Sequence, residues 1–221
     1  MIPIRDDNPA RRTPWLTWLL IGSCVGVFLW EWSLGAAAQQ AIFGYGLIPA
    51  RLLQGAMLPP EIGTVPALLT VFTSMFLHGG WMHLIGNMLY LWIFSDNVED
   101  AMGHGRFIVF YLLCCTGAAM AQALPDPSSA IPMVGASGAI SGVLAAYLML
   151  YPRARVTVVI PLGFYLHVTR LPAAAVLGLW FLLQLLSEMM SGAGAGVAFR
   201  AHIGGFVAGL LLVFAFVPKR R

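Results

Sequence analysis

An all-α, polytopic membrane bundle with six crossings is the fold class this sequence predicts, and three observations predict it. Of 221 residues, 59% are hydrophobic and only 10% charged, with a mean hydropathy of +0.82; a soluble domain would be about half apolar and roughly a quarter charged. Six runs approach the ~20 apolar residues that a bilayer-spanning helix needs. Basic residues gather at both ends of the chain, which favours an even number of crossings. The composition excludes a water-soluble globule, a disordered chain and a nucleic-acid binder, despite a pI near 9.0 and a net charge of +3. The length fits one domain.

Residues 1–14 read as a polar, basic cytoplasmic arm. No small-residue cleavage site follows the next apolar run, so that run is expected to remain as the first span. Spans are expected at 15–34, 81–95, 107–124, 132–151, 172–190 and 201–217, with a basic cytoplasmic tail at 218–221. The second is short as bracketed and should extend into the polar stretch 96–99. Two further apolar stretches, 65–78 and 156–165, have the length of re-entrant or interfacial helices. Six crossings put ten of the twelve Lys and Arg inside, leaving only Arg51 and Arg200 outside; a seventh span at 65–78 would place Lys219, Arg220 and Arg221 on the wrong side. Segment 35–80 then becomes a long external first loop, partly embedded in the membrane interface. The pairs Gly22/Gly26, Gly138/Gly142 and Gly205/Gly209 have the spacing of close helix packing. Cys24, Cys114 and Cys115 lack C-x-x-C spacing and read as buried free thiols.

Polar side chains inside a span are costly and are functional suspects by default. They are few: His83 and Asn87 on the second span, Ser137 on the fourth and His202 on the sixth. Gln122, Gln184, Glu31 and Glu188 fall near helix ends and read as interfacial. The second, fourth and sixth spans all run from outside to inside. At ~1.5 Å per residue, all four polar groups therefore lie within about 10 Å of the outer ends of their helices. Taken singly, a membrane Ser bonds back to its own helix and a His or Asn is interhelical glue; the shared depth argues for a joint role. Serine becomes a nucleophile when a base takes its proton, and neutral histidine is the usual base near pH 7. His83 and Asn87, i and i+4 on one face, are donors suited to an oxyanion. With no intramembrane carboxylate expected beside it, His202 would form a Ser-His catalytic dyad, held by packing or another hydrogen bond.

At these residues the sequence resembles the rhomboid intramembrane serine proteases, over about residues 45–214. The resemblance is carried by His78-Gly-Gly-Trp-Met-His83-Leu-Ile-Gly-Asn87, Gly135-Ala-Ser137-Gly138 and Ala201-His202-Ile-Gly-Gly205, in that order, with a similar turn at Asn97-Val-Glu99-Asp-Ala-Met-Gly103. It implies Ser137 as nucleophile, His202 as base and His83 and Asn87 as oxyanion-stabilising groups, aided by the Ser137 backbone N–H. It also implies a supporting histidine at His78, and the flanking Gly135 and Gly138 let backbone and substrate come close to the hydroxyl. The implied fold is a six-helix bundle whose short fourth helix starts below the outer surface, at the floor of a wet cavity. Two departures stand out. Leu69-Thr70 replaces a frequent Trp-Arg pair in the first loop, and Ser141 replaces an aromatic ring that stacks on the catalytic histidine.

The function expected from residues and resemblance together is a serine endopeptidase cleaving membrane-protein substrates in or near a helix-destabilised transmembrane segment. It needs no metal and no organic cofactor, and its partners are those substrates and the lipid bilayer. Substrate is expected to enter sideways, near the fifth helix and loop 191–200. The alternative is a non-proteolytic rhomboid-like protein that binds membrane clients, although such relatives generally lack the serine or the histidine. A metal or haem protein is disfavoured because Gly79 follows His78 where H-E-x-x-H requires Glu; a transporter is disfavoured for want of an internal repeat. The lack of a transit peptide or accessory domain points to a bacterial plasma membrane with both termini cytoplasmic.

Overall fold

The computed structural model describes residues 1–190 and 198–218. In chain order its elements begin with strand β1 (Ile2–Asp6), helix α1 (Trp15–Ser33), and the short helices α2 (Ala38–Tyr45), α3 (Pro49–Gln54) and α4 (Thr70–Thr73). Long helices α5 (Trp81–Met102) and α6 (His104–Ala123) follow, then α7 (Ser137–Leu150), strands β2 (Arg155–Leu162) and β3 (Tyr165–Pro172), and helices α8 (Ala173–Met190) and α9 (Phe199–Phe216). The chain is thus mostly helical. Helices α1, α6, α8 and α9 are each long and apolar enough to cross a membrane. The segment Ala67–Phe76 with α5 makes a fifth candidate, bent by 84°. Helix α5 does run on past residue 95 through the polar stretch.

Three expectations need correction. The chain is not purely α-helical: residues 156–165 form no re-entrant or interfacial helix, and residues 2–6 of the N-terminal arm form a strand. Arg155–Leu162 and Tyr165–Pro172 pair antiparallel around Gly163, whose φ of +62° suits a tight turn, and β1 pairs with β2 in register Ile2 opposite Val159. The run Val-Thr-Val-Val-Ile is rich in β-branched residues, which fit a pleated surface better than a helix. Second, the fourth helix begins at Ser137, not Pro132. Residues before it are held extended by the mutual Leu47 and Met133 backbone hydrogen bonds (3.0 and 2.7 Å), and Gly135, at φ +113°, donates its N–H to Ser74 O at 2.9 Å. A residue in that conformation cannot lie in a right-handed helix. Third, Gly22 and Gly26 face open space, with nothing described within 4 Å of an added methyl.

The other glycine pairs do pack. A methyl on Gly205 would overlap the Gly138 carbonyl, and one on Gly209 the Gly142 carbonyl, so α7 and α9 run backbone against backbone. Gly138 likewise faces Ala118 of α6, at 2.6 Å from a virtual Cβ. Lipid tails are as apolar as leucine, so close approach of small residues replaces a hydrophobic drive between these helices. Cys24, Cys114 and Cys115 are buried free thiols, filling core positions as small apolar groups.

Polar ties lock the ends. The Glu99 carboxylate of α5, almost wholly buried, accepts the N–H groups of Leu16 and Thr17 (3.0 and 2.9 Å), the Thr17 hydroxyl (2.7 Å) and His104 Nδ1 (2.6 Å). It caps α1, whose own N-cap residue, Pro14, supplies no side-chain bond. In segment 35–80, Arg51 of α3 donates to the carbonyls of Gly44 (3.2 Å) and Val65, and Thr73 donates to Tyr45 O at 2.6 Å. Arg51 therefore pins the segment, while Leu69 is exposed and Thr70 turns its hydroxyl to Ala67 O. Most of loop 191–200 and the tail residues Lys219, Arg220 and Arg221 lie outside the described residues.

Candidate active site

Ser137 is the first residue of α7, and the first intrahelical bond at that end runs from Ile140 N–H to Ala136 O. The N–H groups of residues 137–139 are therefore left without intrahelical acceptors, and the helix dipole adds partial positive charge there. His202 lies in the first turn of α9. Its Nε2 is 2.8 Å from Ser137 Oγ across the glycine-to-glycine contact of the two helices. Its Nδ1 is 2.7 Å from Gln184 Oε1 on α8. A carbonyl oxygen only accepts, so Nδ1 carries the proton and Nε2 presents a lone pair to the serine hydroxyl. This is the tautomer that a base acting on Ser137 requires.

His83 and Asn87 of α5 stand over Gly135. A methyl there would lie 2.7 Å from His83 Nε2 and 3.5 Å from Asn87 Nδ2, so a residue without a side chain is what lets both rings and amide close over the serine's turn. The Gly79 N–H donates to His83 Nδ1 at 3.3 Å, which leaves the proton on Nε2, facing the site. Asn87 Nδ2 is buried with no acceptor among the described residues. Two side-chain donors and a helix N-terminus thus converge beside one hydroxyl. His78 sits behind them, its Nδ1 3.1 Å from Phe76 O and its ring edge-on to His83 at 5.2 Å.

These groups share a cavity of about 920 Å³, lined by Ser137, His83, Asn87, Trp180, Gln184 and His202 among others. The geometry can take a proton from serine onto imidazole and present donors to an oxygen that gains charge.

Sequence reasoning missed three residues. Gln184, read only as interfacial, is the partner of His202. Trp180 brings an aromatic ring within 6.0 Å of the His202 ring from α8, whereas Ser141 is buried and donates to Ser137 O at 2.6 Å. Glu31 is buried as well, and accepts the His78 N–H at 3.0 Å. A signal for the first two was present: Trp180, Gln184 and Glu188 recur at i, i+4 and i+8, a polar stripe on an otherwise apolar helix.

The chain matches the rhomboid domain family over residues 66–219. It is 29% identical to RHOMBOID-like protein 5 of Arabidopsis thaliana over 67% of this chain and 44% of that protein. It is 30% identical to rhomboid-like protease 5 of Toxoplasma gondii over 74% of this chain and 18% of that one. With rhomboid protease GluP of Bacillus subtilis it shares 40% identity over 35% of this chain and 15% of that one. The chain spans less than half the length of these relatives. The family match over most of its length, together with several membrane-crossing helices, identifies this chain as a multi-pass membrane protein of the rhomboid family.

Proposed function

We propose that the chain is an intramembrane serine endopeptidase, with Ser137 as nucleophile and His202 as base, acting on membrane proteins in or near a transmembrane segment. The observation that carries this reading is the 2.8 Å approach of Ser137 Oγ to His202 Nε2 on the floor of the cavity. In the first step Ser137 Oγ attacks the scissile carbonyl as its proton passes to His202 Nε2. The carbonyl oxygen gains charge against His83 Nε2–H, Asn87 Nδ2–H and the free N–H groups at the start of α7. His202 then returns the proton to the departing amine, leaving an acyl-serine. Water, deprotonated by the same imidazole, releases the second product and restores the hydroxyl.

A peptide bond within a helix is shielded by its own backbone hydrogen bonds, so substrates need segments weakened by Gly, Pro or other poor helix formers. Helices α1, α5, α6, α7, α8 and α9 would make six crossings, with segment 35–80 external and both termini cytoplasmic in a plasma membrane. The 14 residues of α7 are too few for a full span, which suits a helix that starts at a sunken, water-reached serine. Purified protein in lipid vesicles, incubated with a model single-span substrate, tests the reading. Ser137→Ala and His202→Ala should each abolish cleavage and labelling by a fluorophosphonate; normal cutting by Ser137→Ala ends the assignment.

A further inference from the structure

The base is oriented from a helix that carries neither the nucleophile nor the oxyanion donors. Helix α8 is buried only at Ala173, Val176 and Leu177, next to the sheet. Beyond these residues it turns Leu179, Leu182, Leu183, Leu186, Met189 and Met190 outward. Toward its far end it is joined to α9 by the stacked rings of Phe181 and Phe206 (4.1 Å), by Gln184 Oε1 on His202 Nδ1 (2.7 Å) and by Glu188 with Arg200 (2.5 Å). The helix is thus anchored by packing at one end and, at the other, tied to α9 by a ring stack, an ion pair and the imidazole.

We propose that Gln184 is the positioning residue of His202, and that its place on α8 ties the readiness of the base to the closed position of that helix. Any displacement of the far end of α8 from α9 withdraws the acceptor from Nδ1. The imidazole is then free to rotate or change tautomer, and its Nε2 lone pair leaves the serine. A neutral amide orients the base without a buried charge, which a membrane interior penalises. The inference rests on Ser137 and His202 acting as nucleophile and base.

The test is the rate at which a small fluorophosphonate labels Ser137, because this probe needs no passage between helices. Gln184→Ala should slow labelling about 10- to 100-fold, with KM for a transmembrane substrate little changed. Gln184→Glu keeps the shape and the acceptor but adds charge, so labelling should persist while its acid limb moves to higher pH. His83 of α5, Glu188 of α8, Arg200 of α9 and the cavity-lining Asp126 also face this site, and all four are left unchanged. Phe181→Ala, which loosens α8 without touching the base, should slow labelling several-fold in the parent. In the Gln184→Ala background it should add no further loss. Wild-type labelling by Gln184→Ala, an unmoved acid limb in Gln184→Glu, or an equal Phe181→Ala effect in both backgrounds would each overturn the proposal. Failure of the underlying reading looks different: Ser137→Ala or His202→Ala would remain active.

Discussion

The spacing of serine and imidazole is set by the contact between two glycines, and Gly205→Ala tests that directly. Gly205 lies one turn after His202 on the same face of α9, and Gly138 follows Ser137 at the start of α7. A methyl at Gly205 would sit 2.8 Å from the Gly138 carbonyl carbon and closer still to its oxygen. The oxygen is the limiting atom, 1.9 Å from the methyl; carbon–oxygen contact begins at about 3.3 Å, so the helices must part locally by ~1.4 Å. That stretches the 2.8 Å Ser137–His202 bond well past the roughly 3.2 Å limit of a hydrogen bond, where it no longer transfers a proton well. The expected result is a kcat loss of about 100-fold, against an overpacking cost of about 1–3 kcal/mol that leaves the protein folded. The assay is cleavage of a transmembrane substrate in vesicles, with thermal unfolding in detergent as the check on folding. Gly22→Ala, on the open face of α1, is the matched control and should keep full activity while gaining up to about 1 kcal/mol in helix propensity. A folded Gly205→Ala enzyme cutting within threefold of the parent would refute the argument that glycine contact sets the dyad.

Asn87→Ala removes a buried donor from the proposed oxyanion position and should lower kcat by about 100-fold with KM little altered; an unchanged kcat measured on the same substrate assigns Asn87 to packing alone. Glu99→Ala strands the three donors of Leu16 and Thr17 and should cost about 3 kcal/mol or more, read as a lowered thermal midpoint, whereas Glu99→Gln should lose less. Asp6 accepts a hydrogen bond from the Tyr147 hydroxyl, and burial pushes its carboxyl above the usual carboxylate value. A folded-state value above the unfolded one means the folded chain binds the extra proton, so docking of β1 tightens as pH falls and weakens as pH rises through the folded-state value. Limited proteolysis of the arm should be slower at about pH 5 than at about pH 8; equal rates after correction for protease activity contradict this.

The grouping of His83, Asn87, Ser137 and His202 was legible because each stands near the start of its helix, so that three helices carry polar groups near the same end. The starting point of α7 was not. Hydropathy sees Pro132, Met133 and Val134 as part of an apolar run, but Leu47, some 86 residues earlier in the chain, supplies the backbone partners that hold Met133 extended. Pairing at that separation leaves no local trace beyond Gly135. The sheet was hidden for a different reason: in a chain this apolar, a short run such as 156–160 looks like a membrane segment on hydropathy, and only its β-branched character distinguishes a strand.

Gln184 shows where the two kinds of information meet. Spacing with Trp180 and Glu188 marks a polar stripe, yet periodicity fixes only which residues share a face, never what that face meets. Phe199 of α9 meets the His202 ring edge-on at 6.3 Å but offers no hydrogen-bond acceptor, and Ser141 on α7 is turned back to its own helix. The acceptor for Nδ1 comes from α8. Trp180 and Gln184, one turn apart on that helix, bring a ring and a hydrogen-bond acceptor to the same imidazole.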